Sequence, residues 1–252
     1  MSSRAQTPVR RLALVAAAVS ATLVALVTST AASPASSTDL PPETPRAITA
    51  PVERQKMVVI GDSYTSYYGD RNSRFPGWWA TLGADLGLEP VIDAVGGTGF
   101  LARSGSCAHS RFRGRMDTIR ENAPRILFIE GGRNDWRRCN AQGRPIESTR
   151  TEIVTAADEY FDELAQVWDE LGRPRADVYV ISPWGQSKAR KARVIRPIIR
   201  TAAQAHGFTW VDTRRLSIEH APDGIHPNNL GSRFLRDEIL ANSDLLDRFT
   251  RI

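Results

Sequence analysis

The chain has 252 residues, which is enough for one ample α/β domain or two small ones. Its composition, with 41% apolar and 24% charged residues, is that of a soluble globular protein. The formal net charge of +5 does not predict nucleic-acid binding, because three arginines and no acidic residue lie in residues 1–32, and without this segment the charge falls to +2. The chain also has no lysine and arginine block of the usual length, so we expect no nucleic-acid partner.

Residues 1–32 have the layout of a secretory signal peptide. Three arginines precede the apolar stretch Leu12–Val27, and Ser29–Ala31 follows as a small-residue cleavage site. The alternative is an uncleaved N-terminal anchor, but the apolar stretch is shorter than the roughly 20 residues that a spanning helix needs. We therefore expect a secreted, extracytoplasmic protein of the cell envelope, whose membrane contact is limited to this segment if it stays uncleaved.

A linker is predicted over residues 33–55, which are rich in proline, serine and threonine and lack an apolar period. This composition favours an extended chain that holds the following domain away from a membrane or wall. The folded domain is predicted to occupy residues 56–252.

From residue 56 onward, short apolar runs alternate with helical patterns. The runs are typical of strands buried on both faces of a sheet. They cover residues 57–60, 91–95, 126–129, 178–181 and 208–211. The clearest helix starts at Thr149, with Glu152 placed as in a capping box, and the last helix starts near Asn228. Five strands alternating with helices predict an α/β fold with a parallel sheet, helices on both faces, and a site beyond the carboxyl ends of the strands.

Ser63 follows the first predicted strand and is the candidate nucleophile. A serine hydroxyl is a weak nucleophile and needs a neighbouring base. His226 is the one histidine of four with a carboxylate three residues earlier, Asp223, which could bond one ring nitrogen while the other takes the Ser63 proton. Two alternatives stay open: Asp62 or Ser63 caps the next helix, and Asp212, at the end of a strand, replaces Asp223 as the third member.

Gly97 and Asn134 follow the second and third predicted strands and are candidate donors to an oxyanion. Acyl transfer needs N–H groups aimed at the negative charge that develops on the carbonyl oxygen. Gly97 offers a backbone N–H, Asn134 a side-chain amide, and Ser63 its own backbone N–H. The alternatives are a turn glycine at 97 and a helix cap or Asx turn at 134. Asp135 is expected to hold the loop by hydrogen bonds.

Two other kinds of site are suggested by parts of the sequence. The segment Gly97–Ala102 fits the dinucleotide pattern G-x-G-x-x-A, with Asp117 twenty residues after Gly97. However, turn-rich residues follow where a dinucleotide-binding helix should begin. A metal centre is not predicted either, since the chain lacks the usual histidine and cysteine spacings. We expect no cofactor and no metal ion.

Four motifs together resemble the four blocks of the SGNH hydrolases, the GDSL-like esterases and lipases. In chain order they are Gly61-Asp62-Ser63, Gly97, Gly132-x-Asn134-Asp135 and Asp223-x-x-His226. The resemblance covers roughly residues 56–248 and implies a flavodoxin-like, three-layer α/β/α fold, no cofactor, and ester hydrolysis through an acyl-enzyme. It also implies roles for five residues: Ser63 as the nucleophile, His226 as the base, Asp223 as its partner, and Gly97 and Asn134 as oxyanion donors.

The sequence departs from this family pattern at two places. Tyr64 stands where the GDSL form has leucine, and Asp93–Val95 replaces a segment in which the family often has asparagine. For this reason Gly96 and Gly97 are both possible donors, and alignment on Thr98 favours Gly97.

Cys107 and Cys139 are the two cysteines of the chain, and each follows a motif loop. An even cysteine count in an exported protein favours a disulfide, which would contribute about 3–4 kcal/mol by restricting the unfolded chain. The alternative is two unpaired thiols.

The candidate substrate-binding residues lie in or near the predicted site loops. They are Tyr64, Arg133, Trp136 and Trp184. The alternative is that the tryptophans pack in the core and the arginine is solvated. We expect a monomeric, exported serine esterase acting on lipid or acylated-carbohydrate esters. The alternatives are an acyltransferase or deacetylase acting on cell-envelope glycans, and a catalytically silent binding domain.

Overall fold

The computed structural model describes residues 54–66, 77–182 and 190–249, which all belong to one unit, Pro51–Ile252. The predicted signal peptide and residues 33–53 of the predicted linker lie outside the described residues. Trp184, one of the candidate substrate-binding residues, also lies outside them.

Five parallel strands form the central sheet. In chain order the described strands are β1 (Lys56–Gly61), β2 (Glu89–Ala94), β3 (Ile126–Glu130), β4 (Arg137–Cys139), β5 (Pro145–Glu147), β6 (Val178–Ile181) and β7 (Thr209–Val211). The sheet has the order β2-β1-β3-β6-β7, whereas β4 and β5 form a separate antiparallel hairpin. The five-stranded parallel sheet predicted from the apolar runs is confirmed.

The strands β1, β2 and β3 end level with one another. Gly61, the last residue of β1, pairs with Ala94 of β2 and with Glu130 of β3. Because parallel strands present their carboxyl ends at one edge of the sheet, the loops that follow these three strands meet there. Three of the four sequence motifs lie in these loops.

Seven α-helices occur among the described residues. They are α1 (Ser63–Ser66), α2 (Trp78–Leu86), α3 (Met116–Asn122), α4 (Arg150–Glu170), α5 (Arg190–Ala205), α6 (Asn229–Ala241) and α7 (Leu245–Phe249). Thr149 and Glu152 form the predicted capping box of α4, and the side chain of Asn228 caps α6 by accepting the Gly231 N–H at 2.9 Å. Both predicted helix starts are therefore confirmed. None of the described helices is long and apolar enough to cross a membrane.

Alternate residues of β1 face two different apolar cores. Val58 and Ile60 pack with side chains of α3, α4 and α5, while Met57 and Val59 pack with side chains of α2, α6 and α7. All four are completely buried, and each such side chain contributes about 1.5–3 kcal/mol relative to an exposed one. Helices therefore cover both faces of the sheet, which confirms the three-layer α/β/α architecture.

Candidate active site

Ser63 lies on a tight turn between β1 and α1. It is the first residue of α1 and is partly exposed at the carboxyl edge of the sheet. The preceding residue, Asp62, is fully buried and caps the helix: its Oδ1 accepts the Tyr64 N–H at 3.0 Å, and its backbone oxygen accepts the Ser66 N–H at 2.9 Å. The capping role that the sequence left open between two residues therefore belongs to Asp62, and Ser63 lies one position inside the helix.

His226 and Asp223 form a hydrogen-bonded pair in the loop before α6. Nδ1 of His226 lies 2.7 Å from Oδ2 of Asp223, whose Oδ1 accepts the backbone N–H groups of Ile225 at 2.8 Å and His226 at 2.7 Å. Partial burial acts to raise the pKa of Asp223, but the bonds from the imidazole and the two N–H groups outweigh it, and the pKa is lowered. The pair fixes Nδ1 toward a carboxylate and puts Nε2 on the opposite side of the ring. Asp212 pairs with Arg196 instead.

The turn that carries Ser63 meets two other motif loops. The ring of Tyr64, the next residue, has its centre 6.1 Å from that of His226. On the other side, a Cβ added to Gly96 would lie 3.6 Å from the Ser63 Cβ. Tyr64 itself is only 2% exposed, and its hydroxyl accepts a hydrogen bond from Arg133, so this candidate substrate residue packs beneath the site together with that arginine.

Residues 95–104 form a folded loop after β2, which we call the Gly97 loop. Gly97 has φ of +78°, a left-handed conformation that favours glycine. Its carbonyl accepts the Ser104 N–H at 3.0 Å, and an added Cβ would lie 3.2 Å from the Ser104 Cα. The loop therefore requires glycine at this position for its backbone shape, and the backbone of Gly97 lies at the surface where the motif loops meet.

Asp135 holds the Gly97 loop from below. Its fully buried carboxylate accepts the backbone N–H groups of Phe100 at 3.2 Å, Leu101 at 2.9 Å and Ala102 at 2.9 Å. A Cβ added to Gly99 would lie 2.3 Å from Oδ1 of Asp135, so the carboxylate occupies the space of the missing side chain. Burial raises the pKa of Asp135 to about 6, although the three N–H groups act to lower it. Asp135 thus holds the loop by hydrogen bonds, as expected.

Asn134 connects two of the motif loops. It lies on the short 3₁₀ turn after β3, and its Nδ2 donates to Asp62 Oδ2 at 2.9 Å and to the backbone oxygen of Thr98 at 3.0 Å. The amide group has two hydrogens, and both are used in these bonds. Donation to a substrate oxyanion, the role proposed from the sequence, therefore requires one of the two bonds to be exchanged or shared.

The described residues do not support the other kinds of site. No group of three or more histidine, cysteine or acidic residues among them is placed to hold a metal ion. The segment Gly97–Ala102 leads into a turn, and the next helical element begins only at Phe112. The dinucleotide pattern therefore lacks the helix that binds a pyrophosphate.

Comparison with known proteins assigns the family. The GDSL-like Lipase/Acylhydrolase family matches residues 59–234, which is well over half of the sequence. The chain belongs to this family. The match includes all four motifs, so the resemblance drawn from them is confirmed, and it supports an ester hydrolase.

Solved structures similar to this GDSL-like chain include three carbohydrate esterases. Est24, a carbohydrate acetylesterase from Sinorhizobium meliloti, has a TM-score of 0.56 and 15% identity over 74% of this chain and 99% of its own. The acetyl xylan esterase Est2A from Butyrivibrio proteoclasticus has a TM-score of 0.54 and 14% identity over 80% of this chain and 66% of its own. A family two carbohydrate esterase from Clostridium thermocellum, in complex with cellohexaose, has a TM-score of 0.55 and 14% identity over 81% of this chain and 68% of its own. At these identities the likeness establishes the fold. No curated protein sequence matches the chain.

In the GDSL-like chain, a cavity of about 200 Å³ opens beside Gly97 and Asn134. We call it the Gly97 pocket. Trp136 and Arg137 line it together, and the guanidinium carbon of Arg137 lies 3.7 Å from the centre of a Trp136 ring. The remaining lining residues are Ala102, Arg103, Ser104, Gly105, Arg138, Cys139 and Pro145. Trp136 is thus the candidate substrate residue that the structure brings to a cavity beside the motif loops.

The predicted disulfide between Cys107 and Cys139 is present. It joins the segment after the Gly97 loop to strand β4 of the hairpin, and Cys139 lines the Gly97 pocket. The bond therefore ties together the two chain segments that form this cavity.

Two buried charged residues at the carboxyl edge of the sheet were not predicted from the sequence. Arg115 is 3% exposed and donates to the backbone oxygen of Gly61 and to Thr98 Oγ1, both at 2.7 Å. Glu130 is 1% exposed and accepts the Thr65 hydroxyl at 2.8 Å. An acidic residue directly after the apolar run of β3 is a signal that could have indicated Glu130. Arg115 lies in a segment without periodicity and carries no such signal.

Proposed function

We propose that the protein is an exported serine esterase that hydrolyses carboxylic esters through Ser63, His226 and Asp223. The observation that carries the proposal is the bond between Asp223 and Nδ1 of His226, in a loop that packs against the residue following Ser63. A carboxylate in this position selects the imidazole tautomer with its proton on Nδ1, so that Nε2 can act as a base. Membership of the GDSL-like family supports the same chemistry.

In the first step, Nε2 of His226 takes the hydroxyl proton of Ser63 while Oγ attacks the ester carbonyl carbon. The negative charge that forms on the carbonyl oxygen is stabilised by the backbone N–H groups of Ser63 and Gly97 and by the amide of Asn134. His226 then gives its proton to the departing alcohol oxygen, which leaves an acyl group on Ser63. A water molecule then attacks the acyl carbon while His226 takes one of its protons. The bond between the acyl carbon and Ser63 Oγ breaks as His226 returns this proton to Oγ, and the carboxylic acid is released.

We propose short acyl esters of carbohydrates as the substrate class. The Gly97 pocket, at about 200 Å³, has room for an acetyl group beside the proposed oxyanion donors Gly97 and Asn134. The ring of Trp136 with the stacked Arg137 offers a surface for a sugar or a negatively charged glycan. Est24 and Est2A, whose names give a carbohydrate acetylesterase and an acetyl xylan esterase, support this assignment.

We also propose export and a monomeric state, with Trp184 as a further substrate contact. The layout of residues 1–32 supports export. The bond between Cys107 and Cys139 is consistent with an oxidising compartment.

The test compares the wild type with Ser63→Ala and His226→Ala on nitrophenyl esters from acetate to octanoate and then on acetylated xylo-oligosaccharides. We expect hydrolysis that is highest for acetate, and a loss of at least about a thousandfold in kcat for both variants. Trp136→Ala should raise KM for the acetylated oligosaccharide more than KM for nitrophenyl acetate, because Trp136 lines the pocket proposed for both acetyl groups but only the oligosaccharide has a sugar to pack on its ring. Full activity of Ser63→Ala would refute the mechanism. Transfer of the acyl group to an added sugar alcohol, in preference to water, would reassign the enzyme as an acyltransferase.

A further inference from the structure

Glu130 lies directly beneath the turn that carries Ser63. It is the last residue of β3, and its Oε2 accepts the hydroxyl of Thr65 at 2.8 Å. Thr65 is completely buried and lies two residues after Ser63 in α1. This hydrogen bond therefore connects the central strand of the sheet to the short helix of the candidate nucleophile.

The fit between α1 and the end of β1 leaves little room for an alternative position of Thr65. A Cβ added to Gly61 would lie 2.4 Å from Thr65 Oγ1 and 2.5 Å from Thr65 Cβ. The absence of a side chain at Gly61 therefore lets Thr65 pack onto the strand end. From this position its hydroxyl reaches Glu130.

Three structural elements that pack on Glu130 each bring a charged or titratable group close to it. Asp62 faces it from the turn between β1 and α1, Tyr64 from α1, and Arg133 from the 3₁₀ turn after β3. Burial, followed by the charge of Asp62, raises the pKa of Glu130 well above its usual value, against the smaller opposite effects of the Thr65 hydroxyl, the backbone N–H of Asp62 and the charge of Arg133. Burial likewise raises the pKa of Asp62, to about 7.

The hydrogen bonds of Glu130 agree with a neutral carboxyl group. Within the described residues, no hydrogen bond of normal geometry reaches its buried Oε1, although the backbone N–H of Asp62 lies close enough to act on the carboxyl group. A carboxylate with an unsatisfied buried oxygen is costly, and a second negative charge beside Asp62 adds to that cost. A carboxylic acid removes the second negative charge and leaves an uncharged O–H group at Oε1, which costs less to bury without a partner than a charged oxygen, while Oε2 still accepts the Thr65 hydroxyl.

We propose that Glu130 is a positioning residue: as a neutral carboxylic acid, it holds α1 in place through Thr65 and so fixes the Ser63 hydroxyl for attack. The proposal rests on the proposed function of Ser63. Loss of the Glu130 proton in alkaline solution places a second negative charge next to Asp62, moves α1, and lowers kcat. Glu130 thus sets an alkaline limit on activity without touching the substrate.

Glu130→Gln and Thr65→Val test this proposal, because both are nearly isosteric and separate charge from hydrogen bonding. Glutamine keeps the acceptor and carries no charge, so Glu130→Gln should retain kcat within about threefold at neutral pH and lose the alkaline fall in kcat that we expect for the wild type. Thr65→Val loses the donor and should lower kcat about tenfold or more, with KM within about twofold. Glu130→Ala should lower kcat as much as Thr65→Val does. The double variant with Glu130→Ala and Thr65→Val should have a kcat no lower than that of either single variant, because both changes break the same bond.

Glu238→Gln is the matched control. Glu238 is also a buried glutamate, at 4% exposure, but it is paired with Arg214 next to β7, two strands away from β3. Its replacement should leave the shape of the pH profile of kcat unchanged. Near-ultraviolet circular dichroism establishes that each variant is folded before kinetics are measured.

The outcomes separate this inference from the proposed function. If Ser63→Ala stays active, the proposed function fails. If Ser63→Ala is inactive, two results overturn the role of Glu130 alone: a wild-type kcat for Thr65→Val, or an alkaline fall in kcat that persists unchanged in Glu130→Gln. A folded Glu130→Gln with as little activity as Glu130→Ala would also overturn it, because the charged form would then be required.

Discussion

Arg115 donates a hydrogen bond to Thr98 Oγ1 at 2.7 Å, and through this bond it joins the Gly97 loop to the ends of two strands. The same guanidinium donates to the backbone oxygen of Gly61 in β1 at 2.7 Å and to that of Asp93 in β2 at 3.0 Å. Gly61 precedes Asp62 and Ser63 directly. One buried cation therefore sets the distance between the turn of the candidate nucleophile and the loop of the candidate oxyanion donor.

Arg115→Met should disturb both stability and activity. Methionine fills part of the volume but leaves two backbone oxygens and the Thr98 hydroxyl without their donor. We expect the free energy of unfolding to fall by about 3 kcal/mol, and kcat to fall because the two loops lose their fixed separation. Urea unfolding and esterase kinetics measure the two effects. Arg120→Met is a suitable control, because Arg120 makes only partly exposed ion pairs. Equal stability of both variants would contradict the role of Arg115.

Asp135→Asn should change how stability depends on pH. The pKa of Asp135 is raised by burial from 3.8 to about 6, so between these pH values the folded protein keeps a proton that the unfolded chain has lost. This group therefore lowers the stability of the wild type as pH rises from about 4 to about 6, by up to about 3 kcal/mol. Asparagine does not titrate, so the stability deficit of Asp135→Asn should be largest near pH 4 and should shrink toward pH 7. Chemical unfolding at both pH values measures this, and a deficit that grows with pH would contradict it.

The sequence was sufficient for the features that depend on local patterns. The β3 run and the Thr149 cap follow from periodicity and capping chemistry, which act over a few residues and are confirmed. The position of Arg115 could not be predicted, because it depends on three partners that are distant along the chain. The bonds of Asn134 to two different loops were missed for the same reason. Family resemblance indicates which residues gather at the edge of the sheet, whereas their exact hydrogen bonds depend on the tertiary packing.

Asp223→Asn should abolish most of the activity while leaving the fold intact. An asparagine amide facing Nδ1 can donate a proton, and this favours the imidazole tautomer that has no free lone pair on Nε2. We expect kcat to fall by about a thousandfold to ten-thousandfold, with little change in thermal stability. Asp212→Asn is the control, since Asp212 pairs with Arg196 and was the alternative partner in the sequence. A larger loss for Asp212→Asn than for Asp223→Asn would exchange the two assignments.

Replacing both Cys107 and Cys139 by serine should affect stability and acyl-chain preference together. The bond closes a loop between positions 32 residues apart, and removing it should lower the free energy of unfolding by about 3–4 kcal/mol, through the greater freedom of the unfolded chain. Because Cys139 lines the Gly97 pocket, its release should also let the hairpin move outward and make the pocket wider. We therefore expect the ratio of kcat/KM for butyrate to that for acetate esters to rise in the double variant. Guanidinium unfolding gives the first quantity and a nitrophenyl ester series the second. Lower stability with an unchanged ester ratio would mean that the bond stabilises the fold but does not set the size of the acyl pocket.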